Sequence, residues 1–528
     1  MKDFYYKFSQ LLRDIIANYS VPVSPPFWEI PKEKRFGDFS TMLALKISPL
    51  IKKEPLAVAA EIKNIIKREL AEEIQAVEVI PPGFVNIFIS RRGLIESLKS
   101  IVEEKSDFFK ECRKRMVLLE FVSANPTGPL SIAHGRQAVV GDVIARIFEF
   151  FGNEVTREYY INDEGRQIEL LVASVKERVK EINNEEFHLP ADGYHGDYVK
   201  DMAKKTLDYT GGDLRSFILS EMLSLIKKDL SDLGIIFSSW FSQKGLIDKG
   251  EIEKTLDLLK AKKFVYEKED ALWFSSSSFG DDKDRVLRKS DGEFTYFASD
   301  IAYHKDKFKR GFDRFINLWG PDHHGYIGRV RAAVKALGFD DETLSVIIIQ
   351  LVTLASKERM SRRRGTIILL SELVSEVGAD AARFYYLLRK NSSPLEFDID
   401  LAKNVSFDNP LYYIQYAHAR ICSVFRKAGI EDISCDYSAE LQEEDLSIVR
   451  ELLQFVHCLD KVYYTLEPVF LVEYLKTIAA EFHKFYEQKR VLSDDRNKTL
   501  ARLAVLEAVR VVIDCGLRIL GITPLTQM

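Results

Sequence analysis

Residues 119–136 read LEFVSANPTGPLSIAHGR and contain the end of an apolar run, a turn and the start of a helix. The run from Val117 to Val122 indicates a buried strand, and the prolines and glycine of ANPTGP predict a tight turn after it. From about Ser131 apolar residues recur at helical spacing, and a second β-like run occupies 154–161. The pattern predicts a βαβ unit, whose helix N-terminus lies above the strand ends and suits an anion or a nucleotide.

The rest of the chain, 528 residues in all, is long enough for roughly two to four domains. Residues 1–110 predict a small α+β domain. Residues 111–390 predict a doubly wound α/β domain, interrupted by an insertion at about 165–290 because strand-like runs resume at 312–320 and 344–354. Residues 391–528 are almost entirely helical in pattern and predict a C-terminal bundle.

Composition excludes several classes of protein. Hydrophobic residues make up 46% of the chain, yet no run of about 18 uncharged apolar residues occurs, so we expect a cytoplasmic protein without a membrane partner. The five cysteines form neither a CxxC pair nor a Cys/His cluster, which argues against zinc and against a disulfide framework. A net charge of −5 gives no global basic signature, although phosphate attraction depends on where positive charge lies.

Two basic features are candidates for binding phosphate. His134 falls in the first turn of the predicted helix, after a turn in which Gly128 allows close approach to the backbone. A histidine at such a position is often structural, and that alternative stays open. SKERMSRRRGT at 356–366 is either a solvated basic loop or a loop that clamps a polyphosphate.

Acidic residues form a third candidate group. Glu120 ends the first strand, and Tyr296 and Asp300 lie in FTYFASDIAYHKDKF. Carboxylates near a polyphosphate require a cationic partner, and a guanidinium fits because it pairs with them through two parallel hydrogen bonds. They are otherwise ordinary surface or capping acids. In WGPDHHGYIGR, at 319–329, adjacent histidines lack a third ligand at metal-binding spacing, so ligand-lining polar residues are favoured.

These pieces, in this order, resemble the arginyl-tRNA synthetase family of class I aminoacyl-tRNA synthetases. The resemblance spans essentially the whole chain. It rests on EFVSANPTGPL and HGR, YYINDEGRQI, YHGDY, FTYFASDIAYH, GPDHHGY, RMSRRRG, GADAARFYYL and NPLYYIQYAHAR. It implies a class I Rossmann-like catalytic domain, an N-terminal tRNA-binding domain and a helical anticodon-binding domain.

The resemblance also implies roles for individual residues. The arginine substrate would be held by Glu120, Ser123, Asn125, Tyr296, Asp300 and His323. ATP would be contacted by Gly128, Ser131, His134, Asp322 and Met360. Catalysis would use His134 with the loop residues Arg359, Ser361 and Arg362. In the bundle, tRNA would be contacted by Tyr412, Tyr416 and Arg420, although an aromatic stripe at helical spacing is more often core.

The implied reaction is ATP-dependent ligation of L-arginine to tRNA(Arg) through an arginyl-adenylate, with Mg²⁺ accompanying ATP and a monomer as the expected state. The chain departs from the family at two motifs. Ser131 and Ala133 stand where the family has its first histidine and a glycine, and Arg359 and Arg362 stand where it has lysines. These departures leave a second interpretation open, a tRNA-binding paralogue with a decayed, non-aminoacylating ATP site.

Overall fold

The computed structural model describes residues 4–23, 27–355, 368–430, 433 and 439–528. They form two compact units. One combines Met1–Cys112 with Lys403–Met528, and the other is Arg113–Ala402.

The N-terminal part of the first unit packs helices against an antiparallel sheet. Its elements are α1 (Phe4–Tyr19), β1 (Trp28–Glu29), β2 (Phe39–Thr41), α2 (Leu43–Ile51), α3 (Pro55–Glu69), β3 (Ile74–Ile80), β4 (Phe84–Ile89) and α4 (Arg91–Glu104). The strand order is β1-β2-β4-β3, with antiparallel pairing throughout. The turn between β3 and β4 contains Gly83 at φ +154°, and the expected α+β character of this segment is confirmed.

The second unit is built on a parallel sheet of five strands. In chain order its elements are β5 (Met116–Glu120), α5 (Ile132–Phe150), β6 (Glu154–Ile161), α6 (Arg166–Ile182), α7 (Asp197–Leu207), α8 (Leu214–Asp232), β7 (Ser239–Ser242), α9 (Gln243–Asp248), α10 (Glu251–Ala261), β8 (Val265–Lys268), β9 (Ala271–Phe274), β10 (Arg285–Arg288), α11 (Tyr296–Lys309), β11 (Arg314–Trp319), α12 (Ile327–Leu337), β12 (Leu344–Ile348), β13 (Val352–Leu354), α13 (Leu370–Val377), α14 (Ala379–Tyr386), β14 (Leu395–Phe397) and α15 (Ile399–Lys403). The sheet order is β12-β11-β5-β6-β7.

The predicted βαβ unit is confirmed, because β5 and β6 pair in parallel and α5 connects them. The strand β5 ends at Glu120, two residues before the end of the apolar run. Gly141 of α5 allows the helix to pack closely on the turn that follows, since an added Cβ would come within 2.4 Å of the Phe121 ring. The doubly wound architecture predicted from sequence is therefore confirmed.

The stretch at about 165–290, predicted as an insertion, contributes one strand to the parallel sheet near its middle. Its strand β7 pairs in parallel with β6 and forms the edge of the main sheet. Before β7, the helices α6, α7 and α8 share a separate apolar cluster that includes Leu171, Val199 and Met222. After it, β8, β9 and β10 form a small antiparallel sheet.

The C-terminal part of the first unit is helical. It contains α16 (Pro410–Ala428), α17 (Glu443–Thr465), α18 (Val469–Gln488) and α19 (Arg496–Ile519), which confirms the predicted bundle. Among the helices of the described residues, none combines the length and the apolar composition that crossing a bilayer requires.

Candidate active site

The strand order of the second unit creates a crevice. From β5 the chain continues to β6 and β7 on one side, and it later returns through β11 and β12 on the other side. In open parallel sheets, ligands bind at the carboxyl ends of the strands where the order reverses in this way. Glu120, at the carboxyl end of β5, lies opposite Asn317 of β11 in the sheet register, so the predicted acidic residue stands at this position.

The turn after β5 has a strained start that neighbouring strands support. Val122 and Ser123 adopt φ values of +67° and +41°, which a β-branched residue such as valine rarely adopts. The Tyr160 backbone N–H donates to Ser123 Oγ at 3.1 Å, and the Tyr159 hydroxyl donates to the Ala124 carbonyl at 2.8 Å. Such strain persists where surrounding contacts fix the backbone, and it is common at functional sites.

The second half of the turn is held by helices that precede β7. The Tyr198 hydroxyl donates to the Thr127 carbonyl at 2.9 Å, and the buried Asp229 carboxylate accepts from the Leu130 N–H at 3.2 Å. Gly128, a predicted ATP contact, fits closely, because an added Cβ would lie 3.1 Å from the Tyr198 hydroxyl oxygen.

Glu120 is 6% exposed and already has two partners. Its Oε1 accepts from Ser123 Oγ at 3.0 Å, and its Oε2 accepts from the ammonium of Lys307. Lys307, from α11, is fully buried and also donates to Asn317 Oδ1 at 2.9 Å. Sequence reasoning did not identify Lys307, because a lysine in a charged helical segment is usually solvated.

Asp300 lies in the first half of α11 and is partly exposed. The Tyr326 hydroxyl donates to its Oδ2 at 2.6 Å, and the described residues include no ion pair to it. Burial raises the pKa of Asp300 to about 7, and the nearby negative charge of Glu120 adds to the rise while the Tyr326 hydrogen bond and Lys307 oppose it. Burial likewise raises the pKa of Tyr160, with Asp300 and Glu120 contributing, so these groups share one electrostatic environment.

Four other predicted residues lie at the exposed rim. Tyr296, the first residue of α11, is 64% exposed. Asn125 donates through Nδ2 to Gln167 Oε1 at 2.6 Å. His323 and Asp322 lie on the exposed turn before Tyr326, and the His323 ring centroid is 6.1 Å from that of Trp319. In this segment the residue that contacts Asp300 is Tyr326, whereas the sequence had drawn attention to the adjacent histidines.

His134 occupies the third position of α5, after Ser131 as the N-cap residue. Its Nδ1 accepts from the Ser131 backbone N–H at 3.1 Å and lies 3.1 Å from Ser131 Oγ. Because Nδ1 is an acceptor, the proton of the neutral ring is on Nε2. Burial lowers the pKa of His134, which favours the neutral form, and Nε2–H is a donor at the helix N-terminus.

The basic loop residues Arg359, Met360, Ser361 and Arg362 lie outside the described residues. The segment that follows them is tied to the start of α5. The Ile132 N–H donates to the Ile368 carbonyl at 3.2 Å, and the Leu370 N–H donates to the Leu130 carbonyl at 2.8 Å. In each of these bonds one partner, Ile132 or Leu130, lies within four residues of His134 in the sequence.

The predicted RNA contacts lie on one face of α16 in the first unit. The rings of Tyr412 and Tyr416 stack with centroids 6.1 Å apart, and the exposed Phe407 ring is 5.1 Å from Tyr416. The Arg420 guanidinium lies 4.9 Å from the centroid of the Tyr486 ring. Tyr416 and Arg420 also line a cavity of about 270 Å³ with the chain terminus, so this face is partly open rather than core.

Within the described part of the chain, no group of three His, Cys, Asp or Glu side chains is arranged to hold a metal ion.

Comparisons with known proteins cover nearly the whole chain. The family model described as tRNA synthetases class I (R), catalytic domain, matches residues 97–393. The Arginyl tRNA synthetase N terminal domain matches 7–89, and the DALR anticodon binding domain matches 414–528. Arginine–tRNA ligase of Aquifex aeolicus is 39% identical, covering 98% of this chain and 99% of its own.

Arginine–tRNA ligase of Nitratidesulfovibrio vulgaris strain Hildenborough is 42% identical over 94% of both chains. Among solved structures, arginyl-tRNA synthetase of Thermus thermophilus superposes with a TM-score of 0.81 at 20% identity. It covers 99% of this chain and 100% of its own, a likeness of fold.

Proposed function

The chain belongs to the arginyl-tRNA synthetase family, and from this premise we propose how its site activates arginine and which surfaces bind tRNA. It is an arginine–tRNA ligase, which joins L-arginine to tRNA at the expense of ATP. Of the two interpretations of the sequence, the ligase is the one that the relatives support. The observation that carries the proposed site is the pair of carboxylates, Glu120 and Asp300, at the carboxyl edge of the sheet.

The arginine side chain enters between these two carboxylates. A guanidinium is planar and always charged, so it both pairs with Asp300 through two hydrogen bonds and supplies the cationic partner that Asp300 lacks among the described residues. The raised pKa of Asp300 fits this assignment, because burial without an ion pair raises it and a bound guanidinium would supply the missing cation. Tyr296, Ser123, Asn125 and His323 complete the pocket, with the last three near the amino-acid end.

ATP binds over the N-terminus of α5. The positive end of the α5 dipole and the Nε2–H of His134 face the phosphate oxygens, while Gly128 and Ser131 line the approach and Asp322 and Met360 contact the nucleotide. An oxygen of the arginine carboxylate attacks the α-phosphorus, and the bond from that phosphorus to the bridging oxygen breaks. Pyrophosphate leaves with the bonding electrons, and arginyl-adenylate remains.

Charge on the departing pyrophosphate is neutralised by the loop that contains Arg359, Ser361 and Arg362. We include Mg²⁺ as part of the nucleotide substrate, because Mg²⁺ binds mainly through phosphate oxygens and water with few protein ligands. Catalysis then depends on positioning and electrostatic stabilisation rather than on a covalent enzyme intermediate. The terminal ribose of tRNA next attacks the adenylate carbonyl, and AMP leaves.

The anticodon loop binds to the exposed face of α16. Single-stranded bases can leave their stack and pack on aromatic rings, and Tyr412 and Tyr416 offer such rings beside the positive charge of Arg420. The proposal includes three domains at 1–110, 111–390 and 391–528. It also includes a cytoplasmic location and a monomeric state, neither of which is required for the chemistry.

Arginine-dependent exchange of pyrophosphate into ATP, with cognate tRNA present, tests the proposed chemistry. We expect exchange to require arginine, and we expect Asp300→Ala to lose about 2–5 kcal/mol of arginine binding, as for a buried charge pair without one partner. Asp306→Asn is the control and should leave the arginine KM unchanged, because this partly buried carboxylate of the same helix is paired with Arg310 at 3.2 Å. Absence of exchange at high enzyme concentration would contradict the proposal.

A further inference from the structure

The buried lysine of α11 has more contacts than an isolated ion pair needs. Lys307 follows Tyr296, Asp300 and Tyr303 at intervals of four, three and four residues, so all four lie along one face of the helix. The face runs from the exposed rim at Tyr296 into the interior, where Lys307 is completely inaccessible to solvent. Lys307 is therefore positioned beneath the proposed arginine pocket rather than in it.

The ammonium of Lys307 makes two hydrogen bonds and lies near an aromatic ring. It donates to Glu120 Oε2 and, at 2.9 Å, to Asn317 Oδ1, and its Nζ lies 4.4 Å from the centroid of the Tyr303 ring. The Ser123 hydroxyl donates to the other carboxylate oxygen of Glu120, Oε1, at 3.0 Å. The carboxylate of Glu120 is thus fixed on both sides before any ligand binds.

A second chain of hydrogen bonds leads from the same ammonium to Asp300. Because Asn317 Oδ1 accepts from Lys307, its Nδ2 donates to His304 Nε2, at 3.2 Å. The His304 Nδ1–H in turn donates to the Asp300 backbone carbonyl at 2.8 Å. Burial lowers the pKa of His304 to about 3, so the ring is neutral and can take both roles.

These contacts determine the charge of the pocket. Lys307 balances Glu120, and the neighbouring Glu158 is balanced by Arg310, whose two terminal nitrogens lie 2.6 and 2.8 Å from its carboxylate oxygens. Asp300 has the Tyr326 hydroxyl as its partner and no ion pair among the described residues. Asp163, which also acts on Tyr160, accepts from the Ser242 hydroxyl at 2.6 Å and from the Lys244 backbone N–H at 2.8 Å. Asp300 is therefore the carboxylate of this helix face that is left to pair with a guanidinium.

We infer that Lys307 is a positioning residue for arginine recognition, which fixes the Glu120 carboxylate and cancels its charge, so that Asp300 is the carboxylate of α11 left to pair with the guanidinium. The inference rests on the proposed function of the pocket. It differs from a purely structural role, because a structural lysine would affect folding without affecting arginine binding selectively.

Lys307→Met keeps the length of the side chain and removes its charge. We expect the arginine KM in pyrophosphate exchange to rise roughly 30-fold or more, as when one partner of a buried charge pair is lost, while the KM for ATP stays near that of the wild type. Lys305→Met is the matched control. Lys305 is 5% exposed on the same helix but points to Thr255 and Glu251, at 3.0 and 3.4 Å.

The double variant Glu120→Gln with Lys307→Met provides the decisive comparison. Glu120→Gln alone leaves a buried ammonium beside the guanidinium site, whereas the double variant restores the net charge of the pocket. We expect the double variant to bind arginine more tightly than Glu120→Gln. If the effects of the two substitutions were additive, the double variant would bind arginine more weakly. A double variant that binds arginine no better than Glu120→Gln would overturn the inference, as would equal KM changes for Lys305→Met and Lys307→Met.

Thermal unfolding of each variant shows whether it folds. If Lys307→Met does not fold, the comparison of Glu120→Gln with the double variant still decides the question, because the double variant leaves no buried charge of the pair unmatched. Failure of the proposed pocket is distinguishable, since Asp300→Ala would then keep its arginine KM whatever the Lys307 variants do.

Discussion

Arginine binding is expected to release a proton from Asp300, and the amount released depends on pH. With a pKa of about 7, Asp300 is about nine-tenths protonated at pH 6, half at pH 7 and one-tenth at pH 8. Because a guanidinium requires the ionised carboxylate, binding should release about 0.9, 0.5 and 0.1 proton at these pH values. Arginine affinity should therefore increase about tenfold between pH 6 and pH 8.

Titration calorimetry in two buffers of different ionisation enthalpy measures the released proton directly. Asp300→Asn should abolish both the release and the dependence of affinity on pH, whereas Asp306→Asn should change neither. If arginine bound at pH 6 without releasing a proton, ionisation of Asp300 could not be the origin of the pH dependence. Burial lowers the pKa of His304 to about 3, so that ring is already neutral over this range and does not contribute. Burial also lowers the pKa of His134.

The same group affects folding in the opposite sense. Its pKa is raised on folding, so between its ordinary value and about 7 the folded state holds a proton that the unfolded chain has released. Its contribution to stability is therefore present at low pH and is lost as pH rises through about 7. Asp300→Asn should accordingly be more stable than the wild type at pH 8, although it binds arginine poorly.

Three further predictions concern other parts of the molecule. Ser131→His should leave the rate of arginine activation in pyrophosphate exchange equal or higher, because residue 131 keeps the backbone N–H that orients His134. A large loss of this rate would show that the site depends on serine. Gly141→Ala should destabilise the fold by about 1–3 kcal/mol in denaturant unfolding, since the new Cβ would meet the Phe121 ring at 2.4 Å. Gly245→Ala, with its nearest neighbour at 3.7 Å, is the control and should be nearly neutral. Tyr416→Ala should raise the tRNA KM in aminoacylation and leave arginine-dependent exchange at saturating tRNA unchanged; equal tRNA KM values would exclude it from the RNA surface.

The sequence predicts the architecture well because its signals are local. The apolar run before Glu120, the turn residues and the helical spacing after Ser131 each act over a few residues, and together they define strand, turn and helix. Strand β7 is less evident, because its four residues lie among helices and only the pairing with β6 assigns it to the sheet. Short strands of this kind carry little periodicity of their own.

The site was predictable only in part, for a reason that applies to most buried charges. Glu120 and Asp300 could be assigned from sequence because they lie in stretches that resemble motifs of the family, whereas by themselves they could be ordinary surface or capping acids. Lys307 is not, since its partner lies 187 positions earlier in the chain and only the packing of α11 against β5 and β11 brings the two together. The positive φ of Val122 is equally hidden, because nothing local favours that conformation for valine.

Recognition of a guanidinium by this pocket depends on charge number as much as on contact. Two ionised carboxylates without Lys307 would repel each other, and one of them would hold a proton at neutral pH. In that state the proton could be on either carboxyl group, so the position of the negative charge would not be fixed. The buried ammonium removes this ambiguity, because it pairs with Glu120 and leaves Asp300 as the carboxylate that pairs with the guanidinium.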